Sequence, residues 1–161
     1  IEKYVELRPD DFIGYSKLRQ SYYAAGKITE AVSTCRTMID LDPSNENRRI
    51  ELASLFEAVK MPDSAIATYR EAISRDPRFH RVHERLGLLY ARMNRLDEAK
   101  YSVLRSVQIK PDYAPGYFSM AKIYAMEEST DSALIMISRG EKLAEIPDDI
   151  LKLKRHLTKN R

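Results

Sequence analysis

Residues of the same kind recur along this chain at a spacing of 34 positions. Three registers share the spacing: aromatic (Tyr22, Phe56, Tyr90, Tyr124), alanine (Ala31, Ala65, Ala99, Ala133) and proline (Pro9, Pro43, Pro77, Pro111). Since the chain holds only 7 prolines in 161 residues, chance does not explain four of them at one fixed interval. A period of this length predicts an array of small units. Each is too short to bury its own apolar face, so neighbours stack to share a core.

Two segments of each period carry apolar residues at helical spacing, as Leu86, Leu89 and Tyr90 do in the third. Each pair of segments predicts two helices joined by a turn. A left-handed conformation at such a turn suits Gly and Asn but not Lys or Glu. The expected turn positions are Gly26, Lys60, Asn94 and Glu128. The expected N-caps of the second helices are Thr29, Asp63, Asp97 and Asp131. A proline then ends each of the first three pairs.

This pattern resembles the tetratricopeptide-repeat (TPR) family, and the resemblance covers nearly the whole chain. It implies an all-α fold, a right-handed superhelical solenoid of antiparallel helix pairs. The expected segments are the tail of a preceding repeat's second helix (1–11), four repeats (12–45, 46–79, 80–113 and 114–147) and a C-terminal capping helix (148–161). Because the pattern is already under way at Ile1, we expect a piece of a longer protein.

Two positions of the family's first helix depart from its pattern. The first aromatic position holds Tyr15, Arg49, His83 and Tyr117. The small-residue position holds Arg19, Ala53, Gly87 and Ala121. We therefore expect altered packing around Arg19 and Arg49, whose long stems can lie along apolar surface while the charge stays in water.

Charge and composition narrow the class of partner. The formal net charge is +3, but the segment from Ile150 onward holds five basic residues and no acid, and the other 22 basic and 24 acidic residues give −2. A near-neutral body with a basic tail does not predict a nucleic-acid surface. No apolar run approaches the roughly 20 residues of a membrane span. The single cysteine excludes an internal disulfide and favours a reducing compartment such as the cytoplasm without fixing it.

The sequence offers little for catalysis or metal binding. His80, His83 and Glu84 share one helical face and resemble half of a metal site, but no further ligand of a suitable type lies near them, so His83 is interpreted as a packing residue. Cys35 occupies an inward position and predicts a buried, inert thiol. The five glycines never cluster into a phosphate loop. We predict a non-enzymatic chain with no cofactor and no metal.

The resemblance implies a protein-interaction adaptor that binds a peptide or protein segment in a concave groove lined by the first helices. The candidate groove residues are Tyr23, Asn47, Ile50, Ser54, Arg81, Arg85, Leu88, Arg92, Phe118 and Lys122. The same register adds Glu84 and Ser119. One alternative is a regulatory or substrate-presenting arm of a larger enzyme; another is a structural spacer that self-associates through exposed repeat ends.

The charges of the groove predict an acidic ligand. In the first two repeats the same register places Lys17, Glu51 and Glu57 in the groove, a charge of −1. In the next two, four cations (Arg81, Arg85, Arg92 and Lys122) against Glu84 give +3, with Leu88 and Phe118 beside the cations. An acidic segment that carries a bulky hydrophobe therefore fits the C-terminal half. Some TPR domains clamp the C-terminal carboxylate of chaperones, but here the clamp positions hold Ser16, Gln20, Glu51, Arg81 and Arg85. Glu51 would repel a carboxylate, which disfavours that ligand.

Overall fold

The computed structural model describes residues 11–159. The described chain consists of helices and connecting turns: α1 (Phe12–Ala24), α2 (Ile28–Leu41), α3 (Asn47–Ala58), α4 (Pro62–Arg75), α5 (His80–Arg92), α6 (Leu96–Ile109), α7 (Ala114–Met126), α8 (Thr130–Glu141) and α9 (Asp148–Lys159). Each of the four predicted repeats spans one helix pair, while the repeat boundaries themselves stay a prediction. Most of the predicted tail at 1–11 lies outside the described residues.

The chain divides into two compact units at the junction between Asp76 and Pro77. Unit 1 contains α1 to α4, in which α1 packs on α2, α2 on α3, and α3 on α4. Unit 2 contains α5 to α9. There, α5 packs on α6 and α7, α7 on α6 and α8, and α9 covers α7 and α8.

The alanine register forms the close contact within each helix pair. Ala31, Ala65, Ala99 and Ala133 are all fully buried, which confirms that they are packing positions. In the α5–α6 pair the backbones approach so closely that a Cβ on Gly87 would lie 2.5 Å from Val103 Cγ2 and 2.9 Å from the Ala99 carbonyl oxygen. Only glycine fits there without displacing α6.

The turns lie where the sequence predicts them, and all four adopt the left-handed conformation that was expected to suit only Gly and Asn. Gly26 has φ +72°, and Lys60, Asn94 and Glu128 adopt φ values of 57–59°. The left-handed turn is thus present in all four pairs, even where Lys and Glu bear a Cβ that disfavours it. The packing of the two helices sets this turn and overrides the local preference.

The predicted N-caps of the second helices are wrong. These helices begin one residue earlier, at Ile28, Pro62, Leu96 and Thr130, and none of their cap residues makes a side-chain capping bond. The residue directly after each left-handed turn takes the N-cap position, so the expected caps become the second residue of each helix. An acid at that place still interacts favourably with the helix dipole.

The side chain at the first aromatic position hydrogen-bonds a proline carbonyl six residues earlier. Arg49 Nη1 donates to the Pro43 oxygen (3.1 Å) and Tyr117 Oη donates to the Pro111 oxygen (3.0 Å). His83 Nε2 lies 2.9 Å from the Pro77 oxygen and donates to it, because a carbonyl can only accept. Three different side chains thus satisfy the carbonyl at the end of the preceding helix pair.

The charge of the buried Arg49 side chain is compensated by several partners. Its side chain is 3% exposed and forms ion pairs with Glu46 (3.2 Å) and Glu71 (3.3 Å) as well as the bond to Pro43. Glu46 also pairs with Arg75 at 3.5 Å. The altered packing expected at this position therefore takes the form of a charged network within unit 1.

Candidate functional site

The candidate residues of unit 1 are divided between surface and core. Tyr23 on α1 is 44% exposed, and Asn47 and Ser54 on α3 are also exposed. Ile50 is only 7% exposed, so it packs in the core of unit 1 and offers no free surface to a ligand. The sequence register assigned Ile50 to the groove because it identifies a helix face, but it does not show which neighbouring residues cover that face.

In unit 2 the candidate residues of α5 form one stripe along the helix. Arg81, Arg85, Leu88 and Arg92 are separated by four, three and four positions, which places them on one face. The three arginines are exposed and Leu88 is half-buried. On the neighbouring helix α7, Lys122 is exposed as well.

Phe118 is the second correction to the predicted site. It is 5% exposed and belongs to a core cluster formed with α8 and α9, which includes Ile137, Ile150 and Leu157. Its ring lies against Gly140, where any Cβ would overlap the ring atoms. Gly140 on α8 and the helix that follows, α9, create this pocket, so Phe118 packs inside unit 2 instead of anchoring a ligand.

Glu84 and Ser119 form a buried polar pair that joins α5 to α7. Ser119 Oγ donates to Glu84 Oε1 at 2.7 Å, and the two residues are 6% and 5% exposed. The register placed both on the groove face but did not predict that they would pair. The signal that could have indicated this bond is an acid on the first helix of one pair and a hydroxyl, 35 residues later, on the first helix of the next pair.

Cations surround this pair. Arg85 Nε lies 3.9 Å from Glu84 Oε2, and Arg81 and Lys122 also act electrostatically on the same carboxyl group. We call Arg81, Arg85 and Lys122 the basic patch. Burial raises the pKa of Glu84, although the bond from Ser119 and the three cations oppose the rise. The patch is therefore built over a buried carboxyl group whose pKa lies above the usual value for glutamate.

Tyr113 lies beside the patch in the turn before α7. Burial, and then the charge of Glu84, raise the pKa of its phenol, while Arg81 and Arg85 act in the opposite direction. The ring of His80 meets the Tyr113 ring edge-on, with centroids 4.6 Å apart. These rings border the patch on the side of the first turn of α5.

Lys122 is paired with the first turn of α9. Its Nζ lies 2.7 Å from Asp149 Oδ2, and this hydrogen bond is the main reason that the pKa of Asp149 is lowered. Both side chains stay partly exposed, at 45% and 60%. A second ion pair, between Lys154 and Glu141, connects α9 to α8.

The three candidate metal ligands, His80, His83 and Glu84, do not form a cluster in the structure. His83 hydrogen-bonds the Pro77 carbonyl, His80 meets Tyr113 edge-on and Glu84 accepts from Ser119, so each has a separate role. Within residues 11–159, no group of three His, Cys, Asp or Glu side chains is placed to hold a metal ion.

The environment of Cys35 matches the expectation of a buried thiol. It is 2% exposed, and burial raises its pKa to about 11. A thiol with so high a pKa holds almost no thiolate near neutral pH, which is the form that reacts.

Helix pairs with buried small residues and polar first-helix faces define a helical-repeat interaction module. The tetratricopeptide-repeat family model matches residues 49–79 and 80–113. The chain is 18% identical to TTC0263, a TPR protein of Thermus thermophilus, with a TM-score of 0.77 over 98% of this chain and 86% of that one. It is also 18% identical to YrrB, described as a TPR protein with an unusual peptide-binding site, with a TM-score of 0.68 over 96% of this chain and 79% of that one.

Among curated relatives, the chain is 30% identical over 98 residues to the inactive TPR repeat-containing thioredoxin TTL3 of Arabidopsis thaliana. That match covers 61% of this chain and 14% of the relative. The chain spans between 6% and 37% of the length of the curated relatives it matches.

The chain belongs to the tetratricopeptide-repeat family, which confirms the resemblance found in its sequence and the all-α superhelical fold class. Repeats of this family form protein–protein interaction modules that bind protein or peptide partners. No helix between residues 11 and 159 has the length and apolar character to cross a membrane.

Proposed function

We propose that this chain is a non-enzymatic adaptor and that unit 2 binds an acidic segment of a partner protein on its α5–α7 face. The observation that carries the proposal is the stripe on α5, where three exposed arginines flank the half-buried Leu88. Lys122 extends the positive charge onto α7. Arginine suits carboxylate recognition because its planar guanidinium can donate two parallel hydrogen bonds.

Leu88 is the apolar contact of this proposal. With Phe118 in the core, Leu88 is the candidate on the stripe that can meet a hydrophobic side chain of the ligand. The charges would speed encounter and weaken with salt, whereas the apolar contact would slow dissociation. In unit 1, Tyr23, Asn47 and Ser54 stay candidate contacts because they are exposed.

The test uses a labelled peptide of glutamates around one leucine, and a second peptide with lysines in place of the glutamates. Binding is measured by fluorescence anisotropy at low and high salt. We expect the acidic peptide to bind, and the double variant Arg81→Glu with Arg85→Glu to weaken it by about tenfold or more at low salt. Leu88→Ala should raise the off-rate with little change in the salt dependence.

The matched control is Arg105→Glu with Arg139→Glu. It changes the net charge of unit 2 by the same amount on exposed positions of the second helices, α6 and α8. Equal weakening by both double variants would mean that overall charge, and not the α5 stripe, attracts the peptide. Unchanged binding by the Arg81 and Arg85 variant would reject this face as the binding site.

A second candidate function is a regulatory or substrate-presenting arm of a larger enzyme. It is favoured by the small share of each curated relative that the chain spans, including one named as a TPR repeat-containing thioredoxin. Expression of the full reading frame with and without these residues, followed by an activity assay, separates the two candidates. An activity that depends on these repeats supports the arm, and a frame with no other domain supports the adaptor.

A further inference from the structure

The first turn of α9 places an acidic residue, Asp149, beside the basic patch that is proposed to bind the ligand. Asp149 Oδ2 lies 2.7 Å from Lys122 Nζ, within direct ion-pair distance. Lys122 acts electrostatically on Glu84, as do Arg81 and Arg85, so all three cations of the basic patch surround one carboxyl group. Lys122 therefore has the carboxylate of Asp149 beside it in addition to the charge of Glu84.

We propose that Asp149 is an intramolecular occupant of the basic patch, and that an acidic partner segment must displace it from Lys122 to engage all three cations. This inference rests on the proposed function and adds its regulation: α9 sets how tightly the patch binds. The predicted competitor is a carboxylate-bearing segment, because Asp149 already presents that group to Lys122.

The geometry allows displacement without unfolding α9. The helix is held to unit 2 by the burial of Ile150 and Leu157 and by the Lys154–Glu141 ion pair, none of which involves Asp149. The Asp149 side chain is 60% exposed and the Lys122 side chain 45% exposed, so both can rotate into solvent. An exposed ion pair of this kind is weak enough for a ligand to replace it.

The test compares two variants that remove the same charge from neighbouring positions. Asp149→Asn removes the partner of Lys122, and Asp148→Asn removes an exposed carboxylate one residue earlier. Asparagine keeps an oxygen that can accept the backbone bonds at the start of α9. With the glutamate–leucine peptide at low salt, we expect Asp149→Asn to bind about two- to fivefold more tightly than the parent, and Asp148→Asn to bind nearly as the parent does.

A double-mutant cycle assigns the effect to the ion pair. In a Lys122→Gln background, Asp149→Asn should no longer raise affinity, because the cation that it releases is absent. If Asp149→Asn and Asp148→Asn raise affinity equally, or if the gain persists without Lys122, the inference is overturned and the effect is one of net charge. A loss of stability in Asp149→Asn with no gain in affinity would assign the pair to the attachment of α9 alone.

The two proposals fail in different ways. Unchanged binding in the Arg81 and Arg85 variant would reject the proposed function. Weakened binding in that variant, together with parent-like binding by Asp149→Asn, would leave the function in place and reject the occupancy of the patch by α9.

Discussion

At the scale of single residues, this fold imposes its backbone on side chains that do not favour it. Lys60 and Glu128 hold φ values of 59° and 57°, as Asn94 does, although neither Lys nor Glu prefers the left-handed region. A non-glycine residue there costs about 1 kcal/mol. The helix pairs on either side stabilise the turn by enough to offset that cost.

We therefore predict that Lys60→Gly and Glu128→Gly stabilise the protein, each by about 0.5–1 kcal/mol, because glycine removes the Cβ clash. Asn94→Gly is the control and should gain less, since Asn tolerates this conformation. Gly26→Ala should lose about 1 kcal/mol through backbone strain alone, because no atom lies within 4 Å of the added Cβ. Urea unfolding measures all four, and destabilisation by both glycine variants would contradict the explanation.

At the scale of helices, the sequence predicted what local spacing controls and missed what distant segments control. The helix pairs and the alanine register could be predicted because residues of the same kind recur every 34 positions, and the same period gave the positions of the turns. The burial of Phe118 could not, because it depends on Gly140 and on a helix outside the repeat pattern. The bond between Glu84 and Ser119 likewise joins two helices whose side-chain directions the period alone does not fix.

The close packing of α5 on α6 gives a prediction about the pair as an element. Ala99→Leu should destabilise the protein by about 1–3 kcal/mol, because a fully buried alanine beside Gly87 leaves no room for a larger side chain. Ala67→Leu adds the same atoms at an exposed position of α4 and should be nearly neutral. Equal effects of the two variants in a denaturant titration would show that Ala99 does not lie at a helix contact.

At the scale of the whole chain, α9 covers an apolar cluster formed by α7 and α8 in unit 2. Ile150 and Leu157 are 1% and 7% exposed and cover the cluster that includes Phe118 and Ile137. This burial supports the proposal that α9 caps the fourth helix pair, because each pair in a helical array needs a neighbour to cover its apolar face. Three basic residues of this helix, Lys152, Arg155 and Lys159, are exposed.

We predict that a chain ending at Pro147 melts at lower temperature in unit 2 and aggregates more readily, because this cluster becomes exposed. A milder pair of variants separates capping from charge. Ile150→Ser should cost about 2–5 kcal/mol, whereas Lys152→Ser, at an exposed position of the same helix, should cost little. Identical melting of the two single variants, measured by circular dichroism, would argue against capping by α9.

The bonds from Arg49, His83 and Tyr117 to the proline carbonyls bear on how repeats of this kind can diverge. What the backbone requires at this place is a proton donor of sufficient reach, and a guanidinium, an imidazole and a phenol all provide it. The position therefore carries little information about residue identity and much about geometry. Substitutions can exchange a neutral ring for a full positive charge here and keep the bond to the carbonyl, provided that acids such as Glu46 and Glu71 accompany the buried charge. Neighbouring repeats can in this way acquire different electrostatic surroundings around the same backbone contact.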